Sequence, residues 1–450
     1  MKFDLLLRGG EVVTPEGLER LDVAIVEGRF ERLAPAIEEQ AVETLDATGL
    51  IVFPGILDAH VHFNEPGRTD WEGLESGSRA LAAGGGTAFF DMPLNSTPPV
   101  LDAASLGLKR TLAESKSCLD FGIWGGLTPH NLDSVAELAE AGAIGVKAFL
   151  CSSGIDDFEA ITDPATLRRG FLAAAGADLL VAVHAEDDAL ARFHTARALA
   201  TGRHDAAAWL DSRPVEVELR AIERVLDLAG ETGCRLHVVH VSSAEGLDAI
   251  ATAKGRGVDV TAETCPHYLL LNAADTARIG AEAKCAPPIR TEQERREVWR
   301  RLEAGAIDTL GSDHSPGPPE LKTGDDFFAL WGGISGCQHG FPLLLSEALE
   351  RGDPGEVLPR LARLLATRVA RRFRLERSKG SIAPGLDADF TLLRLDDPHR
   401  LSNEELLYRH RQGPYDGRAC GVRVVQTRLR GATSAGSRGR FLRPYNPLHA

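Results

Sequence analysis

The sequence predicts an α/β protein: a (β/α)8 TIM barrel carrying a small β-sandwich domain built from both termini. Three observations lead there. β-like texture occupies both ends of the chain, eight short apolar runs alternate with helical sequence between them, and the unusual polar residues of those runs fall at their C-terminal ends.

Residues 1–54 read as short strands separated by turns. "FDLLLRGGEVV", "LDVAIVEGRFERLAP" and "LIVFPG" alternate or cluster apolar residues and break at Gly and Pro. The far end repeats this texture in "LDADFTLLRL" and "GVRVVQTRLRG". Neither segment holds enough strands for a stable sheet of its own, so the two are expected to combine. This puts 1–54 and 378–450 in a composite β-sandwich and 55–377 in the barrel.

Between these ends the eight runs are "ILDAHVH", "TAFFDMP", "DFGIWGGL", "AIGVKAFL", "LLVAVHAE", "RLHVVHVS", "VDVTAETC" and "IDTLGSDH". Ala-, Leu-, Glu- and Arg-rich sequence of helical period separates them, as in "PVEVELRAIERVLDLAGETG". Strand then helix, eight times over, is the count and size of a closed barrel, although a doubly wound open sheet also yields such repeats. The placement of the polar residues favours closure.

His60 and His62 lie at the end of the first run, Lys147 lies in the fourth, His184 near the end of the fifth, His240 near the end of the sixth and Asp313 near the end of the eighth. In a barrel those ends meet at one mouth, where barrel enzymes hold their chemistry. Alternate residues of a strand share a face, so His60 and His62 can reach one cation. An H-x-H pair by itself equally describes two polar side chains at a strand end; three further ligand-type residues ending their own strands shift the reading to metal. Lys147 either snorkels to solvent or is desolvated, in which case its neutral amine can add carbon dioxide and become a bridging carbamate. Asp313 in "SDHSP" would serve as a local cap or as a ligand that also moves a proton. Together the six match two divalent cations, with His60 and His62 on one, His184 and His240 on the other, and Lys147 between.

The remaining histidines have plainer readings. His194, His204, His399, His410 and His449 lie in polar sequence where solvated imidazoles are ordinary, and His237 is expected to pack under its strand. His267 and His314 stand near enough to strand ends to face the mouth.

Composition narrows the partners. The chain has 450 residues, 43% hydrophobic and 26% charged, with a formal charge of -15. Such a balance disfavours nucleic acid and anionic membrane and suits a small-molecule substrate. No apolar run is long enough to span a bilayer, and seven scattered cysteines without a C-x-x-C pair point to reduced thiols and a cytoplasmic location.

With these residues in place, the chain resembles the cyclic amidohydrolases of the amidohydrolase superfamily, the group of dihydroorotase, hydantoinase or dihydropyrimidinase, and allantoinase. The resemblance rests on "FPGILDAHVHFNEPG", the lysine of "GVKAFL", "VHAED", "HVVHVSS", "ETCPHYL", "CAPPIR", "GSDHSP" and the two-ended β domain, and it covers nearly the whole chain. It implies a binuclear centre, zinc foremost, with Lys147 carboxylated and the ligand roles on the six positions above. It also implies a homo-oligomer, with a tetramer favoured. Within the group the likeness to allantoinases is strongest, through "KAFLCSSGIDDF", "SDHSPGPPELK", "WGGISGCQHGFPLL" and "GPYDGR".

That likeness implies allantoin as substrate and allantoate as product. Asn64 stands where dihydroorotases carry a carboxylate-binding arginine, and an amide there suits a neutral ureido group. Ser152 stands where hydantoinases of this group carry an oxyanion-donating tyrosine, and Asn95 matches an asparagine near the substrate. Arg68 is expected to brace its loop, and "CAPPIR" and "WGGISG" to offer backbone groups to the ring. The rival expectations are a related ring or a scaffold relative without catalysis.

Overall fold

The computed structural model describes residues 2–445, so His449 lies outside the described residues. Five strands open the chain: β1 (Phe3–Val13), β2 (Leu18–Val26), β3 (Arg29–Ala34), β4 (Ala41–Asp46) and β5 (Ile51–Pro54). Barrel strands follow: β6 (Ile56–Val61), β7 (Gly86–Asp91), β8 (Asp120–Ile123), β9 (Gly125–Gly126), β10 (Val146–Phe149) and β11 (Val181–His184). β12 (Leu236–Val238), β13 (Val260–Thr264) and β14 (Thr309–Leu310) complete them. The last strands are β15 (Phe390–Arg394), the short pair β16 (His399–Arg400) and β17 (Ala419–Cys420), then β18 (Arg423–Leu429) and β19 (Ala432–Thr433).

Each of the eight apolar runs contains a barrel strand, and the third is split by Trp124 into β8 and β9. Pairing is parallel along β6–β7–β8 and along β9–β10–β11–β12–β13–β14. The ring closes where the His62 N–H donates to the His314 carbonyl at 2.7 Å. Inside, Leu57, Ala59, Ala88, Phe90, Trp124, Leu180, Ala182 and Val239 pack in one cluster, and the Trp124 indole donates to the Ala59 carbonyl at 3.0 Å. This part of the barrel is thus a filled core.

The crossover helices follow from their apolar spacing. In Val215–Thr232, Val217, Ala221, Ile222, Val225, Leu228 and Ala229 recur every three or four residues and are buried. Gly233 ends that helix at φ 67°, a left-handed position that glycine adopts without strain.

The terminal segments share one sheet, ordered β19–β18–β15–β5–β1–β2–β3 with β4 on β1. At Gly9–Gly10, β1 exchanges β4 for β5 as its neighbour, so the sheet divides and folds over its own core of Leu5, Leu7, Val23, Ile25, Phe30, Val52, Phe390 and Leu392. The sandwich is therefore one continuous sheet folded upon itself. Buried Lys379 fastens it to the barrel, reaching Asp120 of β8 at 2.6 Å, Asp389 at 2.5 Å and Asp387 at 2.9 Å. The stretch 396–420 leaves the sheet and lies on the barrel, where the Tyr408 hydroxyl accepts the Gln338 N–H at 2.8 Å. All seven cysteines are free thiols.

Candidate active site

One cavity at the C-terminal ends of the barrel strands is lined by His60, His62, Lys147, His184, His240 and Asp313, with Asn95 and Ser152 beside them. Strand geometry brings them there. His60 in β6 and His62 just past its end both line the cavity; the register pairs Lys147 with Ala182 and Phe149 with His184 across β10 and β11. His240 and Asp313 follow their strands at φ 43° and 45°, left-handed conformations that non-glycine residues hold only under constraint and that gather at functional sites.

The donor atoms stand close together. His60 Nε2 and His62 Nε2 lie 3.2 and 3.4 Å from the same Asp313 oxygen, and His184 Nδ1 lies 3.1 Å from His240 Nε2. Ligand atoms around one tetrahedral zinc at normal bond lengths are about 3.3 Å apart, so the residues present fit such a cation. Two further contacts select the nitrogen facing the cavity. His60 Nδ1 meets buried Glu263 at 2.8 Å and His184 Nε2 meets buried Glu186 at 2.8 Å, which leaves His60 Nε2 and His184 Nδ1 as lone-pair donors.

Electrostatics point the same way. Burial and the nearby Lys147 hold His60 and His240 well below the ordinary histidine value, and burial also lowers His184, so these rings are neutral as ligation requires. Lys147 is 1% exposed and therefore does not snorkel. Burial pushes it down to about 8, against the pull of Asp313 and Glu263. Burial also raises Asp58 to about 7 and Glu263 to about 8, the behaviour of carboxylates in a site short of positive charge. Glu186 goes the other way: Arg213 and His184 outweigh its burial and hold it at about 2.

Asn64 is placed differently from expectation. It is fully buried at φ 64°, its Nδ2 donates to the Pro316 carbonyl at 3.3 Å, and it is absent from the cavity lining, so it frames the loop. Arg68 braces as expected, donating to the Asn95 carbonyl at 2.8 Å. Ser152 is exposed at the cavity edge. His267 lies within ligand reach of Asp313 and Cys265, whereas His314 packs behind the wall against Tyr408, ring centroids 4.7 Å apart. His237 sits inside the barrel, 3.3 Å from Glu263 and 2.7 Å from the Thr261 hydroxyl. His204 pairs with Asp326 at 3.0 Å, and His410 is half-buried, 2.7 Å from the Asp70 carbonyl. The segments "CAPPIR" and "WGGISG" contribute Cys285, Ala286 and Trp331–Gly333 to the wall.

Sequence reading missed Glu186, Glu263 and Arg213. Glu186 follows His184 by two residues, and Glu263 is a lone carboxylate in the apolar run "VTAETC", signals that were available. Arg213 comes from an irregular loop and had none.

Comparison with known proteins agrees with this site. The model of the Amidohydrolase family matches residues 51–433. The allantoinase of Deinococcus radiodurans is 50% identical over 452 aligned residues, covering 99% of each chain, and that of Solibacter usitatus is 48% identical, covering 98% and 97%. Among solved structures, the L-hydantoinase (dihydropyrimidinase) from Arthrobacter aurescens superposes with a TM-score of 0.93 at 31% identity, covering 98% and 97%. Barrel, mouth-facing donors and full-length similarity agree: the chain belongs to the amidohydrolase family.

Proposed function

We propose that this chain opens the hydantoin ring of allantoin by hydrolysis to give allantoate. The observation that carries the reading is the convergence of six metal-type donors from five barrel strands on one cavity, in a chain half identical along its length to an allantoinase. His60, His62 and Asp313 would hold one divalent ion and His184 and His240 the other, zinc foremost, with Lys147 between them. For that last role the Lys147 amine adds carbon dioxide and loses a proton, giving a carbamate; the lowered basicity of Lys147 supports this. When bound, the ions supply a hydroxide near neutral pH and polarise the scissile carbonyl.

The chain's own groups do the rest. Asp313 accepts the proton of the attacking water and delivers it to the ring nitrogen as the carbon–nitrogen bond breaks. Hydroxyl ends on the carbonyl carbon and hydrogen on the released nitrogen, which balances the reaction. Asn95, held by Arg68, and Ser152 at the edge are positioned to hydrogen-bond the ureido group and ring carbonyl. A homotetramer and a cytoplasmic setting are part of the same reading, the latter supported by seven free thiols. No helix among the described residues is long and apolar enough to cross a membrane.

Turnover of allantoin, 5-substituted hydantoins, dihydrouracil and dihydroorotate by zinc-reconstituted protein tests the proposal. Allantoin is expected to lead in kcat/KM by about a hundredfold or more. Preference for another ring overturns the substrate, and no turnover of any ring overturns the reaction.

A further inference from the structure

Between β14 and the helix Gly340–Leu349 the chain makes a long excursion whose end, Trp331–Gly333, forms one wall of the cavity. Two lysines reach that excursion from different directions. Lys284, 3% exposed, donates from Nζ to the Leu330 carbonyl at 2.5 Å and the Phe328 carbonyl at 3.3 Å, and lies over the Trp209 ring at 4.3 Å. Lys322 donates from Nζ to the Ala281 carbonyl at 2.9 Å and, by a short contact, to the Gly333 carbonyl. Among the described residues no carboxylate lies within ion-pair distance of either Nζ.

The two contacts do different mechanical jobs. Lys284 immediately precedes Cys285 and Ala286, which form the facing part of the wall, so its side chain ties one wall segment to the other. Lys322 ties the excursion to itself and to the Ala281 turn. Gly333 is packed so tightly that a Cβ there would stand 2.2 Å from the Ser315 carbonyl oxygen, and the Trp331 indole donates to that same oxygen at 3.2 Å. The wall is thus backbone held at four points, two of them lysines.

Lys284 is buried and Lys322 half-buried, both without a carboxylate partner, which is unusual because taking a cation out of water is costly. A loop that needed only to stay folded could use neutral donors. We propose that Lys284 and Lys322 are positioning residues for substrate: by fixing the carbonyl side of residues 328–333 they hold Trp331–Gly333 at the distance a small cyclic ureide requires. This rests on the proposed ring hydrolysis. It extends that reading to two side chains that are absent from the cavity lining and touch no donor of the metal set.

The test uses full-length, zinc-reconstituted Lys322→Met, Lys284→Met and Lys322→Arg. Measured are kcat and KM for allantoin, zinc per chain, and the Kd of hydantoin as an unreactive ring probe. A positioning role predicts KM and probe Kd raised about tenfold or more in the Met variants, kcat within about threefold, zinc unchanged, and recovery of most of the KM in Lys322→Arg. Unchanged KM and Kd in a folded, metal-loaded Met variant overturn it, as does loss of kcat and zinc at constant KM. If a Met variant does not fold, Lys322→Gln, which keeps one donor for Gly333, is compared with Lys322→Arg. Wild-type KM in both then overturns the proposal, and a rise in the glutamine variant alone supports it. Failure of wild-type protein to turn over allantoin sinks the ring-hydrolysis reading instead and is seen before any variant is made.

Discussion

Lys147 at the barrel mouth and Lys379 at the seam with the β domain are nearly equally buried, 1% and 3% exposed, yet their surroundings are opposite. Around Lys379, burial works against charge, but Asp389, Asp120 and Asp387 outweigh it and raise the ammonium above the ordinary lysine value. Arg430 completes the cage, 2.6 Å from Asp120. The three carboxylates of this cage lie close enough to hold a metal ion, and an ammonium already fills their centre. Lys147 has no such cage; imidazoles stand near it and burial lowers it to about 8. A lysine caged by carboxylates is satisfied where it stands, whereas Lys147 is left short of partners, as the bridging role proposed for it requires.

Replacement is the direct way to break that contrast. Lys147→Ala is expected to lower kcat/KM by about 10⁴-fold, to leave well under two metals per chain, and to recover partly with short carboxylic acids that occupy the carbamate position. Full activity in that variant would end the bridging role. Lys379→Met should do the reverse. Three carboxylates lose the ammonium between them, with the Arg430 guanidinium left only on Asp120, which lowers unfolding free energy by about 3–5 kcal/mol in denaturant titrations, while kcat and metal content hold. Lost metal with unchanged stability would show that the two lysines had been assigned the wrong way round.

A smaller effect probes the link behind His184. Glu186→Gln keeps an acceptor for the ring but removes the charge that Arg213 meets at 3.0 Å. Metal affinity, read by competition with a chelator, should fall about 10- to 100-fold. Affinity equal to wild type would mean that the ring is oriented by other contacts.

What the sequence showed and what it hid divide along similar physical lines. His60, His62, Lys147 and His184 were legible because strands alternate faces and polar residues stand out in apolar runs, and the eight runs marked the barrel for the same reason. Asp313 and His240 were legible by position but not in backbone, since a left-handed residue leaves no pattern in one sequence. The same difficulty turned Asn64 from an expected ligand contact into a loop frame: its φ of 64° fixes where the amide can point. Arg213 and the lysine-pinned wall come from irregular segments, where neither period applies and only the folded chain brings partners together. The folding of one sheet over its own core was likewise hidden, because the exchange of β4 for β5 at Gly9–Gly10 depends on residues 30 to 40 positions away.

The finest test uses pH, and Lys284 supplies it. Like Lys147 it is buried without a carboxylate partner, and burial lowers it from 10.5 to about 8. Below pH 8 both folded and unfolded chains carry this proton, so the penalty of the buried charge is present in full and stability has no slope from this group. Between about 8 and 10.5 the unfolded chain binds the proton and the folded chain does not, so stability rises with pH in that window. Wild type should therefore gain on Lys284→Met by up to about 3 kcal/mol across it, read from urea midpoints of the two proteins at matched pH. Lys379 predicts the opposite sign: its folded value is raised, so its contribution is whole below the unfolded lysine value and falls only beyond it, in strong alkali. A Lys284 difference that stays flat from pH 8 to 10.5 would mean that the Leu330 and Phe328 carbonyls compensate the charge in full, and the mouth and the seam would then differ only in the identity of their acceptors.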